Sequence, residues 1–119
     1  MTNKTIGKYG EEIAQNFLIK KGYKILETNY RYSKIAEIDI IALKSNILHF
    51  VEVKTRTQEY FGKALEAITP AKLNQIYSCA MKYINSSNKT YKAYQIDAIG
   101  ILLEKNEIKK IDFVENISL

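Results

Sequence analysis

The sequence is short of several residue types, and each shortage excludes a class of protein. The single cysteine, Cys79, excludes an internal disulfide framework and a zinc site built from several cysteines. One proline and five glycines in 119 residues exclude a collagen-like or linker-type chain. No apolar run near Met1 resembles a signal peptide, and none approaches the ~20 residues that a membrane-spanning helix needs. We therefore expect a cytoplasmic protein without a membrane segment.

A large excess of charge of one sign is also missing. The 18 Lys and Arg against 13 Asp and Glu give a net charge of +5, which is compatible with an anionic partner but does not identify one. The basic residues are spread along the chain and form no separate tail. The length suits one hydrophobic core, so we expect one domain over residues 1–119.

Hydrophobic periodicity predicts two helices and five strands. Apolar spacing of three and four residues predicts a first helix over residues 7–21, and Thr69-Pro70 has the residue types that begin a second helix. Segments rich in β-forming residues predict strands at Tyr23–Arg31, Ile35–Leu43, Ile47–Lys54, Tyr91–Leu103 and Ile108–Val114. This order predicts an α/β protein in which the last two strands form a hairpin.

Two acidic residues lie inside strands that are otherwise strongly apolar. Asp39 lies in Ile38-Asp39-Ile40-Ile41 and Glu52 in Phe50-Val51-Glu52-Val53-Lys54. Burial of a lone carboxylate is costly, so each acid needs a charged, hydrogen-bonding or metal partner. A short turn joins the two strands, which allows Asp39 and Glu52 to lie side by side on one face, with Lys54 roughly 7 Å further along. Two carboxylates and an ammonium group are therefore predicted to converge.

This trio matches the needs of metal-dependent phosphodiester hydrolysis. Two carboxylates can hold Mg²⁺, the Val53 carbonyl can add a third oxygen ligand, and the Lys54 ammonium can offset charge in the transition state. The alternative interpretation is that Glu52 and Lys54 form the solvated face of an edge strand and share a weak surface salt bridge. Spacing alone leaves both interpretations open, because an acid-x-lysine triplet is common by chance.

Six motifs in a fixed order carry a resemblance to a known family. They are Gly7-Lys-Tyr-Gly10-Glu11-Glu-Ile-Ala14, Gly22-Tyr23-Lys-Ile-Leu, Asn29-Tyr30-Arg31, Glu37-Ile-Asp39-Ile-Ile-Ala42, Phe50-Val-Glu52-Val-Lys54-Thr-Arg56, and Phe61-Gly62 followed by Pro70-Ala-Lys72. With these motifs the chain resembles the bacterial YraN-like family of the restriction-endonuclease-like, PD-(D/E)XK, nuclease superfamily, which is similar to archaeal Holliday-junction resolvases. Two positions depart from the family's usual pattern, since Ala36 replaces a glycine and Gln95 replaces an arginine.

The resemblance implies a restriction-endonuclease-like core, which is a central mixed β-sheet flanked by helices. It also implies a DNA endonuclease site that uses Mg²⁺ or Mn²⁺. By resemblance, Asp39 and Glu52 bind the metal, Lys54 is the catalytic lysine, and Glu11 adds a further acid from the first helix. The helical position of Glu11, at the edge of the apolar stripe, is compatible with that role.

Three other residues have side chains that are capable of acid–base or nucleophilic chemistry. Alternation places His49, the one histidine, on the face opposite Glu52 and Lys54, which favours a packing or surface role. Cys79 is predicted to lie off the apolar stripe of its helix and to take no part in chemistry. Asp97 lies in an apolar strand, where we expect it to pair with a lysine rather than with a metal.

Basic residues near the ends of the predicted strands are candidates for contacts to DNA phosphates. They are Arg31, Lys34, Arg56, Lys63 and Lys72. The function that we expect is hydrolysis of structured or branched DNA, and the competing hypothesis is a non-catalytic nucleic-acid-binding or adaptor module that serves a DNA-processing partner. Because the related junction-cutting enzymes act as symmetric dimers, the resemblance also implies a homodimer.

Overall fold

A computed structural model describes residues 2–34, 36–57 and 68–117 of the chain. The elements are α1 (Asn3–Lys20), β1 (Lys24–Ser33), β2 (Ala36–Lys44), β3 (Ile47–Arg56), α2 (Pro70–Ser86), β4 (Ala93–Glu104) and β5 (Glu107–Val114). The strands form one five-stranded sheet in the order β1-β2-β3-β4-β5. Only β3 and β4 pair in parallel among these neighbours. This mixed sheet with two helices confirms the predicted α/β fold and is consistent with a restriction-endonuclease-like core.

Both helices begin at a threonine that caps the first turn. The Thr69 hydroxyl accepts a hydrogen bond from the backbone N–H of Lys72 at 3.1 Å, and Pro70 follows it in the first turn, as predicted. The first helix begins earlier than the apolar pattern predicts, because Thr2 accepts from the backbone N–H of Thr5 at 3.2 Å. A short polar cap therefore adds one turn before the amphipathic segment.

Tight turns set the register of the two hairpins. Ser45 and Asn46 have φ values of 52° and 61°, and Lys105 and Asn106 have φ values of 51° and 66°. Two consecutive residues with positive φ are typical of the turn whose twist matches that of paired antiparallel strands. The first turn joins β2 to β3, so it also sets which residues of these two strands lie opposite each other.

The sheet is covered by a helix on each face. On one face α1 contributes Ile13, Ala14 and Leu18 to a core that includes residues of β2, β3 and β4. On the other face α2 contributes Ile76, Cys79 and Ala80 to a second core. The prediction that Cys79 lies off the apolar stripe was wrong: the thiol is fully buried, three residues after Ile76 on the same helical face. No helix in the described part of the chain is long and apolar enough to cross a membrane.

Candidate active site

The acidic residues of β2 and β3 contact each other. The β2–β3 ladder ends at the pair Ile40 and Val51, so Asp39 and Glu52 are the residues that adjoin its last pair. The two carboxyl groups share a hydrogen bond, and Asp39 Oδ2 also accepts a hydrogen bond from the backbone N–H of Val53 at 2.8 Å. Glu52 is only 4% exposed. The structure therefore brings together the two acids that the sequence placed on neighbouring strands.

Burial and the proximity of Glu52 perturb the ionisation of Asp39. Burial, the hydrogen bond with Glu52 and the charge of Glu52 raise the pKa of Asp39 from 3.8 to about 9, against the opposing effect of the Val53 N–H. Like charges held together in a poorly hydrated site retain a proton between them. At neutral pH Asp39 therefore retains a proton, in a position that suits a cation.

Glu11 approaches the pair from α1. Burial raises the pKa of Glu11, and the negative charges of Glu37 and Glu52 raise it further, whereas the hydrogen bond from Asn29 lowers it. The Asn29 side chain donates to Glu11 Oε1 at 2.9 Å. This contact fixes the Glu11 carboxylate on the sheet side of the helix, within electrostatic range of Glu52 and Asp39.

The close approach of α1 to β3 depends on Gly10. A Cβ atom at position 10 would collide with the Thr55 hydroxyl and lie 3.0 Å from Thr55 Cβ. No such neighbour lies within 4 Å of a Cβ placed at Gly7, one turn earlier. Gly10 therefore has a steric role: it allows Glu11 to lie next to the strand that carries Glu52.

A polar cavity of about 450 Å³ lies between α1 and the end of β3. Its lining includes Glu11, Val53, Lys54 and Arg56. Lys54, the predicted catalytic lysine, therefore faces the same space as Glu11, and Val53, the predicted source of a carbonyl ligand, lines it as well. A cavity bordered by a carboxylate and two basic residues can accept an anion. Among the described residues, Asp39 and Glu52 do not line this cavity, although Val53 and Lys54 directly follow Glu52 in the chain.

The oxygen atoms of this site suit a hard divalent cation. Glu52 Oε2 is buried and makes no hydrogen bond among the described residues, although the Lys72 ammonium lies 3.3 Å from it. A buried carboxylate oxygen without a hydrogen bond is costly unless a cation stabilises it. The carboxylates of Asp39 and Glu52 are the ligand type that Mg²⁺ and Mn²⁺ prefer, whereas Glu11 does not complete, within the described part of the chain, a group of three ligand atoms within 4.8 Å of one another. The acid pair therefore fits the implied metal, and Glu11 lies further from it.

The predicted phosphate-binding residues have different surroundings. Arg31 forms an ion pair with Glu37 at 3.3 Å, and the Arg56 guanidinium donates to the Thr55 carbonyl at 3.1 Å while lining the cavity. Lys34 is exposed, and Lys63 lies outside the described residues. Lys72 contacts Glu52, a role that spacing did not predict because the two residues lie on separate elements.

A second group of ionisable residues lies where β4 meets the C-terminal segment. Asp97 Oδ2 lies 2.6 Å from His49 Nδ1, and Asp97 Oδ1 accepts hydrogen bonds from Gln95 Nε2 at 2.8 Å and from the Asn116 backbone N–H at 2.9 Å. His49, Asp97 and Glu115 place ligand atoms within 4.8 Å of one another and could hold a metal ion. The described hydrogen bonds already use both oxygens of Asp97, so the network also stabilises the fold without a metal.

This network corrects one prediction. Asp97 pairs with His49 and not with a lysine. The two strands that carry these residues are parallel neighbours, with His49 opposite Gln95, two residues from Asp97. A parallel register between strands joined through a helix has no local signal in the sequence. For His49 the sequence predicts a packing or surface role, and its burial favours packing. The sequence did not predict its contact with Asp97.

Comparison with known proteins gives the relationship of the chain. Residues 10–101 match a family model described as uncharacterised protein family UPF0102. The chain is 47% identical to a UPF0102 protein of Caldanaerobacter subterraneus, over 98% of this chain and 96% of that protein. It is 40% identical to a UPF0102 protein of Dictyoglomus turgidum, over 98% of both chains, and 39% identical to one of Alkaliphilus metalliredigens, over 96% of this chain and 97% of that protein. The chain therefore belongs to the UPF0102 family, the YraN-like family that its sequence motifs resemble.

Proposed function

We propose that this protein is a metal-dependent endonuclease that hydrolyses phosphodiester bonds in structured or branched DNA. The observation that carries the proposal is the contact between Asp39 and Glu52, which leaves a buried Glu52 oxygen without a hydrogen bond. Two adjacent buried acids with an oxygen that makes no hydrogen bond destabilise the folded protein. Because the pair does not stabilise the fold, a functional role is favoured. The resemblance to Holliday-junction resolvases supports branched DNA as the substrate.

Each side chain has a distinct task in the proposed reaction. Asp39 and Glu52 would hold Mg²⁺ or Mn²⁺, and the Val53 N–H keeps the Asp39 carboxylate in place. The bound cation supplies positive charge that stabilises the phosphoryl transition state. Lys54 lies in the cavity that would receive the scissile phosphate, where its ammonium group offsets negative charge and orients the attacking water. Glu11 adds a carboxylate from α1 on the other side of this cavity.

Cleavage of a DNA panel tests the proposal. The panel contains duplex, single-stranded, flap and four-way-junction DNA of matched sequence, each incubated with Mg²⁺, Mn²⁺ or EDTA. We expect product with a divalent metal, preferentially from the branched substrates, and a loss of at least about 100-fold in Asp39→Ala and Glu52→Ala. Glu104→Ala is the matched control, because Glu104 is exposed and pairs with Lys109 on the hairpin of β4 and β5.

The alternative function gives a different result in the same panel. A nucleic-acid-binding or adaptor module would bind DNA with a strong dependence on salt and would yield no product with either metal. Absence of product from folded wild-type protein, or unchanged cleavage by both Asp39→Ala and Glu52→Ala, would reject the nuclease proposal. The first result would favour the binding or adaptor module, whereas the second would show that cleavage does not depend on the acid pair.

A further inference from the structure

Lys72 is the basic residue closest to the acid pair among the described ion pairs. Its Nζ atom lies 3.3 Å from Glu52 Oε2, the buried oxygen that makes no hydrogen bond. The Lys72 side chain is 32% exposed, whereas the Glu52 side chain is 4% exposed. The ammonium group can therefore move into solvent on its flexible stem, while the carboxylate it contacts stays in place.

The position of Lys72 near the N-terminus of α2 is electrostatically unfavourable for the helix. Lys72 lies in the first turn, two residues after Pro70, and that turn contains no acidic residue. A cation in the first turn of a helix is repelled by the helix dipole and by the unpaired N–H groups there. Helix formation therefore does not explain this lysine, whereas the neighbouring Glu52 carboxylate does.

We infer that Lys72 is the resident counter-ion of Glu52, that it competes with the divalent metal for this carboxylate, and that metal binding releases it to contact a DNA phosphate. The inference rests on the proposed function, because it needs a metal at Asp39 and Glu52. A divalent cation and an ammonium group cannot both lie against the same buried oxygen without repulsion. The metal therefore displaces the ammonium, and the displaced side chain remains at the N-terminal end of α2, where it adds positive charge for a phosphate.

The test measures metal affinity and DNA affinity separately. Mn²⁺ binding is measured by titration calorimetry on wild type, Lys72→Met and Lys82→Met. Lys72→Met keeps the length of the side chain without its charge, and Lys82→Met is the matched control, since Lys82 lies on the same helix with its ammonium over the Tyr32 ring. DNA binding is measured by fluorescence anisotropy of a four-way junction in Ca²⁺, which replaces the catalytic metal and prevents cleavage.

We expect opposite signs for the two affinities. Lys72→Met should bind Mn²⁺ about tenfold more tightly, within the range of roughly 5- to 150-fold that is typical of coupled sites, and should bind the junction several-fold more weakly. By linkage, saturating Mn²⁺ should also increase the rate at which an amine-reactive ester modifies Lys72 in the wild-type protein, as read by mass spectrometry. Lys82→Met should leave Mn²⁺ affinity unchanged.

The possible outcomes distinguish a failure of this inference from a failure of the proposed nuclease function. If wild type binds Mn²⁺ in a manner that Asp39→Ala abolishes, but Lys72→Met binds it equally or more weakly, the competition is refuted and the metal site stands. If Lys72→Met loses both metal and DNA affinity, Lys72 supports the structure of the site and the inference is also wrong. If wild type binds no Mn²⁺ at the acid pair, the proposed function and this inference fail together.

Discussion

Replacement of Asp39 by asparagine is expected to stabilise the metal-free protein. Burial and the neighbouring Glu52 raise the pKa of Asp39 from 3.8 to about 9, so at neutral pH the folded state binds a proton that the unfolded state has released. Asparagine resembles the protonated acid, and its side-chain oxygen can still accept the hydrogen bond from the Val53 N–H. The variant therefore removes the cost of proton uptake while it retains the local geometry.

The raised pKa of Asp39 sets the size of the stability gain expected for Asp39→Asn. A group with a raised pKa in the folded state contributes full stability below its unfolded pKa and loses it as pH rises towards the folded value. Between pH 3.8 and pH 7 the loss has an upper limit of about 4 kcal/mol, at 1.36 kcal/mol per pH unit. Asp39 is partly exposed and keeps some hydration, so we expect a gain of about 2 kcal/mol for Asp39→Asn at pH 7 and almost none at pH 4.

Urea denaturation at several pH values, with EDTA present, measures this gain. Asp112→Asn is the control, because Asp112 is 42% exposed and lies near Lys110 rather than near an acid, and its effect should stay below about 0.5 kcal/mol. Addition of Mg²⁺ at about 100 times its dissociation constant should raise the stability of the wild type by about 2.7 kcal/mol and that of Asp39→Asn far less. A variant that is no more stable than wild type at pH 7, or a gain that does not grow with pH, would refute the reasoning.

Two further changes test the packing around the site. Gly10→Ala should lower the free energy of unfolding in urea by at least about 1 kcal/mol, because its Cβ would collide with Thr55. Gly7→Ala has no neighbour within 4 Å of its Cβ and should raise that free energy by about 0.5–1 kcal/mol. Equal effects of the two substitutions would contradict the close approach of α1 to β3. Asp97→Ala should lower the free energy of unfolding by about 3–5 kcal/mol, because it leaves the buried His49 without its acidic partner. A loss below about 1 kcal/mol, which is typical of an exposed ion pair, would show that the buried network contributes little to stability.

Much of the fold has a local signal in the sequence. Thr69-Pro70 predicts the start of α2, and the polar turns at residues 45–46 and 105–106 predict both hairpins. The start of α1 at Asn3 lies four residues before the predicted one, because the cap at Thr2 precedes the first apolar position of the helix. The parallel pairing of β3 and β4 depends on the path of the chain through α2, which no short segment encodes.

The acid pair was predictable because two physical rules act together on it. Period two in the strands gives the face of each side chain, and the cost of burying a lone carboxylate requires a partner for Asp39 and for Glu52. The contact with Lys72 was not predictable in the same way. It depends on how α2 packs across the sheet, and Lys72 lies 20 residues beyond Glu52 in the chain.

Two groups of buried ionisable residues in the described part of the chain differ in how many of their oxygens are hydrogen-bonded, and that difference indicates their roles. The carboxylate of Asp97 is bonded through both oxygens, to His49 and to two further donors, so it stabilises the fold as it stands. The carboxylate of Glu52 has a buried oxygen without a hydrogen bond, next to a second acid that retains a proton. A network whose oxygens are all hydrogen-bonded has a structural role, whereas a buried carboxylate oxygen whose charged partner is the partly exposed Lys72 ammonium favours a role in cation binding. Metal titration should therefore stabilise the wild type and the Asp97 variants by similar amounts, and should stabilise the Asp39 and Glu52 variants far less.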